Sequence, residues 1–329
     1  MSKVRWGVLS TAKIGTDKVL PAMQQSELCE ITAISSRDLD RAKAAAEPLG
    51  IPKAYGSYED VLADPDVDAV YNPLPNHMHV DWSIKALQAG KHVLCEKPIA
   101  LSAEDGQRLV EAGRQHPQLK LMEAFMYRHH PRWHQARELL AAGEIGELRV
   151  VESHFSYINM DPQNIRNRLD VGGGALMDIG CYPISASRWL FGSEPTRALS
   201  LVERDPNFGT DRFSSAILDF ESGRATLTCA TQMNRFQWIN IIGTTGRISL
   251  DIPYTAWPDK PCHLWIQRDL EVEEIVCEPV DQYTLQGDAF SRAILENTAV
   301  TTPIEDAVLN MKVIEAIFKS QETETWATV

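Results

Sequence analysis

Short apolar runs alternate with amphipathic segments along the first 125 residues. The apolar runs predict β-strands at residues 4–9, 30–35, 67–71, 92–95 and 120–124. Helical periodicity predicts helices at residues 13–25, 39–48, 76–89 and 103–116, with Ser102 as an N-cap of the fourth and Gly90 just after the third. Strands that alternate with helices favour a doubly wound parallel sheet, in which ligands bind at the carboxyl ends of the strands.

Beyond about residue 125 the strand-like runs follow one another, separated in places by turn signals at residues 221–223 and 243–246. They lie at residues 147–158, 197–203, 214–220, 225–232, 238–243, 247–252 and 263–267, and helices are predicted at 175–191, 285–297 and 305–320. The pattern predicts an α/β protein with an N-terminal domain at residues 1–125. A C-terminal α+β domain with a large, mostly antiparallel open sheet follows at residues 126–329. The last helix is a candidate to pack back on the first domain.

The first strand runs into a loop that resembles a phosphate-binding loop, Gly7-Val8-Leu9-Ser10-Thr11-Ala12-Lys13-Ile14-Gly15. A Rossmann GxGxxG motif would place its glycines at Ser10, Ala12 and Gly15, so other small residues replace two of them. Small residues allow a pyrophosphate to approach the backbone at a helix N-terminus, although a serine fits the tight turn less well. The loop predicts a Rossmann domain that contacts a dinucleotide through Ser10, Thr11, Ala12 and Ile14.

The end of the second strand indicates which dinucleotide binds. An NAD-binding domain usually has Asp or Glu here to bind the ribose 2′-hydroxyl. This chain has Ser36 and Arg37, with Arg41 one helical turn further on. Arginine binds a 2′-phosphate through charge-assisted hydrogen bonds and stacks on adenine, so NADP is predicted as the cofactor, with NAD as the alternative. Alternatively, the two arginines are only solvated charges at the start of a helix.

Two later segments are similar to those of a known family. One contains Tyr71-Asn72-Pro73-Leu74-Pro75-Asn76-His77-Met78-His79 and, after a helix, Glu96-Lys97-Pro98. The other is Gly172-Gly173-Gly174-Ala175-Leu176-Met177-Asp178-Ile179-Gly180-Cys181-Tyr182-Pro183. With the opening loop they resemble the glucose-fructose oxidoreductase / inositol dehydrogenase (GFO/IDH/MocA) family. The similarity is greatest to its NADP-dependent sugar (D-xylose-type) dehydrogenases and dimeric dihydrodiol dehydrogenases. Many members have histidine in place of Tyr182, which disfavours an inositol-type substrate.

The resemblance implies a site beside the nicotinamide. The residues implied to line the cofactor are Asn72, Pro73, Leu74, Asn76, His77, Glu96 and Lys97. Tyr182 is implied to accept the proton of the hydroxyl being oxidised, Lys97 to lie near that hydroxyl, and Asp178 to orient the polar network. Because a free tyrosine has a pKa of about 10, a neighbouring ammonium is needed to make its phenolate accessible. Asp178 and Tyr182 are spaced so that they share one face of a helix.

Further polar residues are candidates near this site. Arg166, in a polar loop before the glycine run, is expected to reach the substrate or the nicotinamide, and Tyr157, in a predicted strand, is expected to contact the substrate. The resemblance also suggests that the Lys97–Pro98 peptide bond is cis.

The histidines outside this set are not expected to bind metal. His79 is interpreted as a structural residue at the start of a helix. His129, His130 and His134 lack the spacing of a zinc motif, and no nearby carboxylate completes a ligand set, so no metal is predicted.

Composition limits the partners and the location. The net charge of −13 disfavours nucleic acid as a partner. None of the six cysteines has CxxC spacing, and reduced thiols fit a cytoplasmic protein. No apolar run approaches the length of about 20 residues that spans a bilayer, and the N-terminal residues lack a secretory segment. The sequence therefore predicts a cytoplasmic protein with no membrane partner.

The broad sheet of the second domain must have its outer face covered or in contact with water. Trp238, Ile239, Ile241 and Trp265 are candidates for its two faces. A homodimer or homotetramer joined through sheet faces is predicted.

The predicted function is NADP-linked hydride transfer to or from a hydroxyl-bearing carbon of a sugar, most directly C1 of an aldose. Two alternatives remain at this point: a trans-dihydrodiol dehydrogenase, and a non-catalytic regulator that binds a dinucleotide. A regulator would have no need for Lys97, Asp178 and Tyr182 together.

Overall fold

The computed structural model describes residues 3–329; Met1 and Ser2, with which the predicted first domain begins, lie outside the described residues. In chain order its strands are β1 (Val4–Leu9), β2 (Cys29–Ser35), β3 (Lys53–Tyr55), β4 (Ala69–Asn72), β5 (His92–Cys95), β6 (Leu121–Glu123), β7 (Leu148–Ile158), β8 (Arg197–Arg204), β9 (Asp211–Phe220), β10 (Gly223–Ala230), β11 (Gln232–Gly243), β12 (Gly246–Asp251), β13 (Cys262–Arg268), β14 (Glu271–Cys277) and β15 (Ala327–Thr328). The helices are α1 (Leu20–Met23), α2 (Leu39–Leu49), α3 (Tyr58–Ala63), α4 (His79–Gln88), α5 (Ala103–Gln115), α6 (Pro131–Ala141), α7 (Cys181–Phe191), α8 (Gln282–Leu295) and α9 (Ile304–Thr323). Two π-helical turns, Gly15–Val19 and Leu176–Gly180, lead directly into α1 and α7.

The first six strands form one sheet in the order β3-β2-β1-β4-β5-β6. Every pair in it is parallel, which confirms the predicted Rossmann sheet. Trp6, Val8 and Leu9 of the central strand are fully buried, as expected for a sheet covered on both faces. The strand order reverses between β1 and β4, so ligands are expected where the carboxyl ends of these two strands diverge.

Local signals in the sequence fix several helix ends in this region. The Ser102 hydroxyl accepts a hydrogen bond from the Asp105 amide and caps α5, as predicted. Gly90 follows α4 with φ +77°, also as predicted. The sequence analysis missed β3 and α3 because segments of three and six residues are too short to show a clear periodicity.

Contacts divide the chain into two units, and the first contains more than its N-terminal part. It runs to Met126 and also includes Asp281–Val308, whereas the second contains Tyr127–Val280 and Leu309–Val329. The sequence prediction had placed everything after residue 125 in one domain. Inside the first unit, α8 packs on α1 and β1, and the Trp6 indole donates a hydrogen bond to the Ser291 hydroxyl (3.3 Å). Such long-range contacts leave no periodic signal in the sequence.

The second unit is built on a nine-stranded sheet in the order β14-β13-β12-β11-β7-β10-β9-β8-β15. β7 and β10 are parallel and all the other pairs are antiparallel, so the predicted mostly antiparallel sheet is confirmed. α7 packs against β7 and β10. Ile239 and Ile241 are fully buried, whereas Trp238, which alternates with them along β11, is half-buried. The two faces of the sheet therefore differ in exposure.

Three strands or helices of the second unit were not predicted: α6, β14 and the two-residue strand β15. The imidazole of His130 accepts a hydrogen bond from the Arg132 amide (3.3 Å) and so caps α6, which begins at Pro131. β14 pairs with β13 along its whole length, although most of its side chains are exposed and three of them are acidic. Strand formation at this edge follows from pairing with a neighbour and not from an apolar pattern.

None of the helices formed by residues 3–329 combines the length and the apolar character of a segment that crosses a bilayer.

Candidate active site

The phosphate loop, residues 10–15, connects β1 to a helix that begins at Lys13. Ser10 has φ +130°, so a serine occupies a backbone conformation that favours glycine. The Ser10 hydroxyl accepts a hydrogen bond from the Ala12 amide (3.2 Å) and donates a longer one to the Pro73 carbonyl (3.5 Å). The side chain thus joins the turn to the neighbouring loop, which accounts for a turn that lacks the usual glycine.

The helix after this loop has features that suit an anionic ligand. A π-helical turn begins at Gly15, and the side chain of Ile14, the residue before it, makes no capping hydrogen bond. The amides of a helix's first turn are donors without intrahelical acceptors, and the helix dipole adds a positive potential. Ser10, Thr11, Ala12 and Ile14 therefore fit the pyrophosphate of a dinucleotide, and their contact with it remains a prediction.

The end of β2 presents basic groups. Arg37 and Arg41 are exposed. Burial raises the pKa of the nearby Tyr58, and the positive charges of the two arginines partly oppose that rise. Asp38 is the acidic residue at this strand end, but its carboxylate accepts hydrogen bonds from the amides of Asp40 and Arg41 and caps α2. That carboxylate is thus used by the helix, and Arg37 and Arg41 present their guanidinium groups to solvent, as a 2′-phosphate site requires.

The loop after β4 is organised by Asn72. Its side-chain amide donates to the His79 carbonyl (3.1 Å) and the Ser83 hydroxyl (3.0 Å), and its oxygen accepts from the Leu74 amide (3.3 Å). Asn72 is fully buried, so its side chain shapes the loop and any contact with a cofactor would come from the backbone.

The other residues predicted along this loop differ in exposure. Pro73 and Leu74 are buried, Asn76 is half-buried and His77 is exposed. Asn76 and His77 lie in a single 3-10 turn, Asn76–Met78.

The loop after β5 carries Glu96 and Lys97. The Tyr71 hydroxyl donates a hydrogen bond to the Glu96 carboxylate (2.7 Å), and Lys97 is half-buried. The Lys97–Pro98 peptide bond is cis, as the sequence resemblance suggested.

His79 joins the two loops, in agreement with its interpretation as a structural residue. Its ring nitrogens lie 2.8 Å from the Pro98 carbonyl and 2.6 Å from the Leu74 carbonyl. Burial lowers the pKa of His79 to about 4.

In the second unit, the glycine run opens the helix that carries Asp178 and Tyr182. Gly172 and Gly174 have φ of +83° and +123°, conformations that side chains rarely adopt. A Cβ atom on Gly173 would lie 2.5 Å from the Arg166 carbonyl oxygen. The run therefore lets the backbone fold closely against the loop that contains Arg166.

Asp178 is the centre of a polar cluster. Its carboxylate accepts hydrogen bonds from the Tyr157 hydroxyl (2.5 Å) and from Nε of Arg166 (2.9 Å). The carboxylate charge is the main reason why the pKa of Arg166 is raised. Burial and the same charge raise the pKa of Tyr157, so this phenol stays protonated and acts as a donor. The structure thus brings together Tyr157, Arg166 and Asp178, which the sequence analysis had placed near the substrate.

Tyr182 lies one turn further along the same helix and is only 5% exposed. Its ring is 5.5 Å from that of Tyr254, 5.7 Å from that of Phe155 and 5.9 Å from that of Tyr127, measured between centroids. These packed rings fix the direction of the phenol. Tyr127 and Tyr254 were missed by the sequence analysis, because aromatic residues in apolar runs read only as core.

Among the histidines that were considered as metal ligands in the sequence, one has a clear structural role. His130 caps α6, and burial lowers the pKa of both His129 and His130 to about 4, so both are neutral near pH 7. Over residues 3–329 there is no group of three or more His, Cys, Asp or Glu side chains placed to hold a metal ion.

Comparisons with known proteins agree with this arrangement. Residues 4–125 match the oxidoreductase family with an NAD-binding Rossmann fold, and residues 133–249 match the GFO/IDH/MocA C-terminal domain. A D-xylose 1-dehydrogenase (NADP(+)) of Haloferax volcanii is 39% identical over 324 residues, 97% of each chain. The trans-1,2-dihydrobenzene-1,2-diol dehydrogenase of Xenopus tropicalis is 35% identical over 260 residues, 77% of this chain and 76% of that one. The crystal structure of a 3-ketoreductase from Actinomadura kijaniata in complex with NADP and TDP-benzene has a TM-score of 0.90, 34% identity, and coverage of 97% of this chain and 98% of that chain.

A Rossmann domain followed by a sheet domain with this polar cluster defines an oxidoreductase of the nicotinamide-dependent type. The chain belongs to the GFO/IDH/MocA family. This confirms the resemblance seen in the sequence, and it places the chain among sugar-related oxidoreductases.

Proposed function

We propose that this protein is an NADP-dependent dehydrogenase that oxidises an aldose at C1 to the lactone. The observation that carries the proposal is the helix after the glycine run, where Tyr182 is set in an aromatic wall one turn from Asp178 and its partners Tyr157 and Arg166. A regulator that only binds a dinucleotide has no need for such a cluster. The relative from Haloferax volcanii, a D-xylose 1-dehydrogenase, supports an aldose as substrate.

NADP, when bound, supplies the hydride acceptor through its nicotinamide ring. When hydride leaves C1, the hydroxyl proton must also leave, because a protonated carbonyl is high in energy. We assign the acceptance of that proton to Tyr182 in its phenolate form, which thereby becomes the phenol, and we assign to the Lys97 ammonium the positive charge that favours the phenolate. Asp178 orients Arg166, whose other guanidinium N–H groups could donate to sugar hydroxyls, and Tyr157, whose hydroxyl donates to Asp178 and could accept from a sugar hydroxyl. These two residues would thus select and orient the substrate.

The choice of NADP over NAD is assigned to Arg37 and Arg41. Arg37 and Arg41 are exposed, and the carboxylate that directly follows Arg37, that of Asp38, caps α2. A 2′-phosphate would gain charge-assisted hydrogen bonds from the two arginines, whereas the Asp38 carboxylate is already used by the helix. NADP in the solved reductase of Actinomadura kijaniata supports the same choice.

The test is a substrate panel with the purified chain. Pentoses, hexoses and trans-dihydrodiols are offered with NADP and with NAD, and reduced cofactor is followed by absorbance. Reduction with an aldose and NADP, several-fold faster than with NAD, supports the proposal. If the cofactor is reduced only with dihydrodiols, the chain has the activity of its Xenopus relative. If NADP binds but no substrate reduces it, the regulator is favoured.

We also propose that the chain forms a homodimer or homotetramer through the open face of the nine-stranded sheet. Leu201 on β8 is 76% exposed, and Trp238 and Trp265 on β11 and β13 are half-buried. A second copy would remove this apolar surface from water. Light scattering at micromolar concentration measures the mass, and a monomer would contradict the proposal.

A further inference from the structure

Asp211, the first residue of β9, is a buried carboxylate that contacts the start of the site helix. The residue is 1% exposed. Its Oδ2 accepts a hydrogen bond from the Leu176 amide (2.7 Å), the first residue of the π-helical turn that precedes α7, and from the Ser214 hydroxyl (3.2 Å). A negative charge at this end of a helix satisfies a donor that lacks an intrahelical acceptor and complements the helix dipole.

The same carboxylate explains the last glycine of the run. A Cβ atom on Gly174 would lie 2.0 Å from Oδ1 of Asp211, and Gly174 has φ +123°. Any side chain at 174 would therefore displace the carboxylate as well as strain the backbone. The Gly174 amide donates to the Arg166 carbonyl (2.9 Å), so the position of Asp211 is transmitted to the loop that carries Arg166.

Asp211 thus contacts directly the first turn of the helix that carries Asp178 and Tyr182, through the Leu176 amide. It is linked to the Arg166 loop through Gly174, which lies against the Asp211 carboxylate and donates to the Arg166 carbonyl, and Arg166 is the ion-pair partner of Asp178. Small displacements of such segments matter, since a misplacement of about 1 Å can cost roughly 100-fold in rate.

We propose that Asp211 is a positioning residue. Its carboxylate fixes the glycine run and the first turn of the helix, and so holds Tyr182 and the Asp178–Arg166 ion pair in the positions that the reaction requires. This inference rests on the proposed function for its catalytic consequence. The contact itself is independent of which substrate is used.

The protonation state of Asp211 gives a specific signature. Burial raises its pKa to about 6, against the opposing effects of the Leu176 amide, the Ser214 hydroxyl and the positive charge of Arg204 on β8. The other titratable group facing it is Cys229 on β10, whose own pKa is raised well above its usual range by burial and by the Asp211 charge. The carboxylate is therefore charged above about pH 6 and loses its charge below it.

The experiment compares Asp211→Ala, Asp211→Asn and Gly174→Ala with two controls. Asp219→Asn removes a carboxylate from the same strand, where it pairs with Arg197 and Arg224 and does not touch the helix. Gly192→Ala places a side chain at the other end of the helix, at φ +63° with open space around it. Amide exchange over residues 175–180 is measured by mass spectrometry, together with kcat, KM and NADP binding.

Exchange over residues 175–180 should rise in Asp211→Ala and Gly174→Ala and not in either control. In both variants kcat should fall roughly 10- to 100-fold while NADP affinity stays within about two-fold. Wild-type kcat should decline as pH falls through about 6, and Asp211→Asn, which keeps the shape and loses the titration, should lack that decline.

Exchange in Asp211→Ala equal to the wild type, or a pH profile of Asp211→Asn equal to the wild type, would overturn the inference. If exchange rises in Asp211→Ala as expected, but the wild-type chain reduces NADP with none of the sugars or diols offered, the positioning contact stands and the proposed function fails. If Asp211→Ala and Gly174→Ala do not fold, the pH profile of Asp211→Asn, whose amide oxygen still accepts from Leu176, decides alone.

Discussion

Two helices of this protein begin in nearly the same way and end up with different roles. The helix after the phosphate loop is entered through Ser10 at φ +130°, and the helix after the glycine run through Gly174 at φ +123°. Both continue as a π-helical turn, a feature often found at functional sites. Neither Ile14 nor Ala175, the residues before the two turns, caps its helix with its own side chain, but in the second helix the carboxylate of the distant Asp211 accepts from the Leu176 amide.

The difference lies in where the anion comes from. An uncapped helix N-terminus offers donors and positive potential to a phosphate from outside. A helix N-terminus already bound to an internal carboxylate has nothing to offer a ligand, but its side chains are held in place. The first helix is thus suited to binding a dinucleotide, and the second to holding Tyr182, the proposed proton acceptor, in place.

The largest effect is expected from the second helix. Tyr182→Phe keeps the ring among Tyr127, Phe155 and Tyr254 but removes the hydroxyl, so the fold and NADP binding should survive. Loss of a general base typically lowers the rate about 10²- to 10⁴-fold, and kcat should fall by that factor. The measurement is kcat with the best sugar, after NADP binding has been checked by fluorescence.

Lys97→Ala tests whether the ammonium acts on the same step. The loss should be similarly severe, and the double variant should be little worse than either single one, as for residues that act as a unit. Activity of Tyr182→Phe within a few-fold of the wild type would show that another group takes the proton.

The next prediction concerns Asp211, the carboxylate at the start of the second helix, and the pH dependence of the free energy of unfolding. The folded pKa of Asp211, about 6, exceeds its ordinary value of 3.8, so protonation favours the folded chain. The stabilisation from that proton is complete below about pH 4 and is lost as pH rises through about 6. The free energy of unfolding of the wild type, relative to Asp211→Asn, should therefore fall by roughly 3 kcal/mol over this interval.

Urea unfolding at several pH values checks this difference, and other titrating groups cancel between the two proteins. A constant difference across the interval would mean that the buried carboxylate titrates normally.

The next effect concerns the uncapped helix and its neighbouring strand end. Arg37→Ala removes charge-assisted hydrogen bonds, each worth about 1.5–3 kcal/mol, so the preference for NADP over NAD should fall roughly 10- to 100-fold. The ratio of kcat/KM values for the two cofactors measures it. Lys43→Ala, at a charged position further along α2, serves as the control, and an unchanged ratio in Arg37→Ala would show that Arg37 does not bind the 2′-phosphate.

The sequence predicted the parts of this comparison that depend on local signals. Small residues after an apolar strand indicated the phosphate loop. A run of glycines before a helix indicated the second segment. The contacts of the second helix were not predictable. Asp211 lies 35 residues from Leu176 in sequence, and although Tyr157 was expected near the substrate, its hydrogen bond to Asp178, 21 residues away, was not. Periodicity reports the burial of a residue and not the identity of a distant partner.

Other differences have the same origin. That Asn72 lines the cofactor stays a prediction, whereas the hydrogen bonds from its side chain to His79 and Ser83 of α4 were not indicated by the sequence. The return of α8 to the first unit depends on Trp6 and Ser291, 285 residues apart.

The central claim is that the chain transfers hydride from an aldose to NADP. The most direct measurement uses an aldose carrying deuterium at C1 and determines, by mass spectrometry, where the label goes. The account predicts that the reduced cofactor carries the deuterium and that turnover with the labelled sugar is slower. Reduced cofactor without deuterium, or no reduction with any aldose while a trans-dihydrodiol is oxidised, would contradict it.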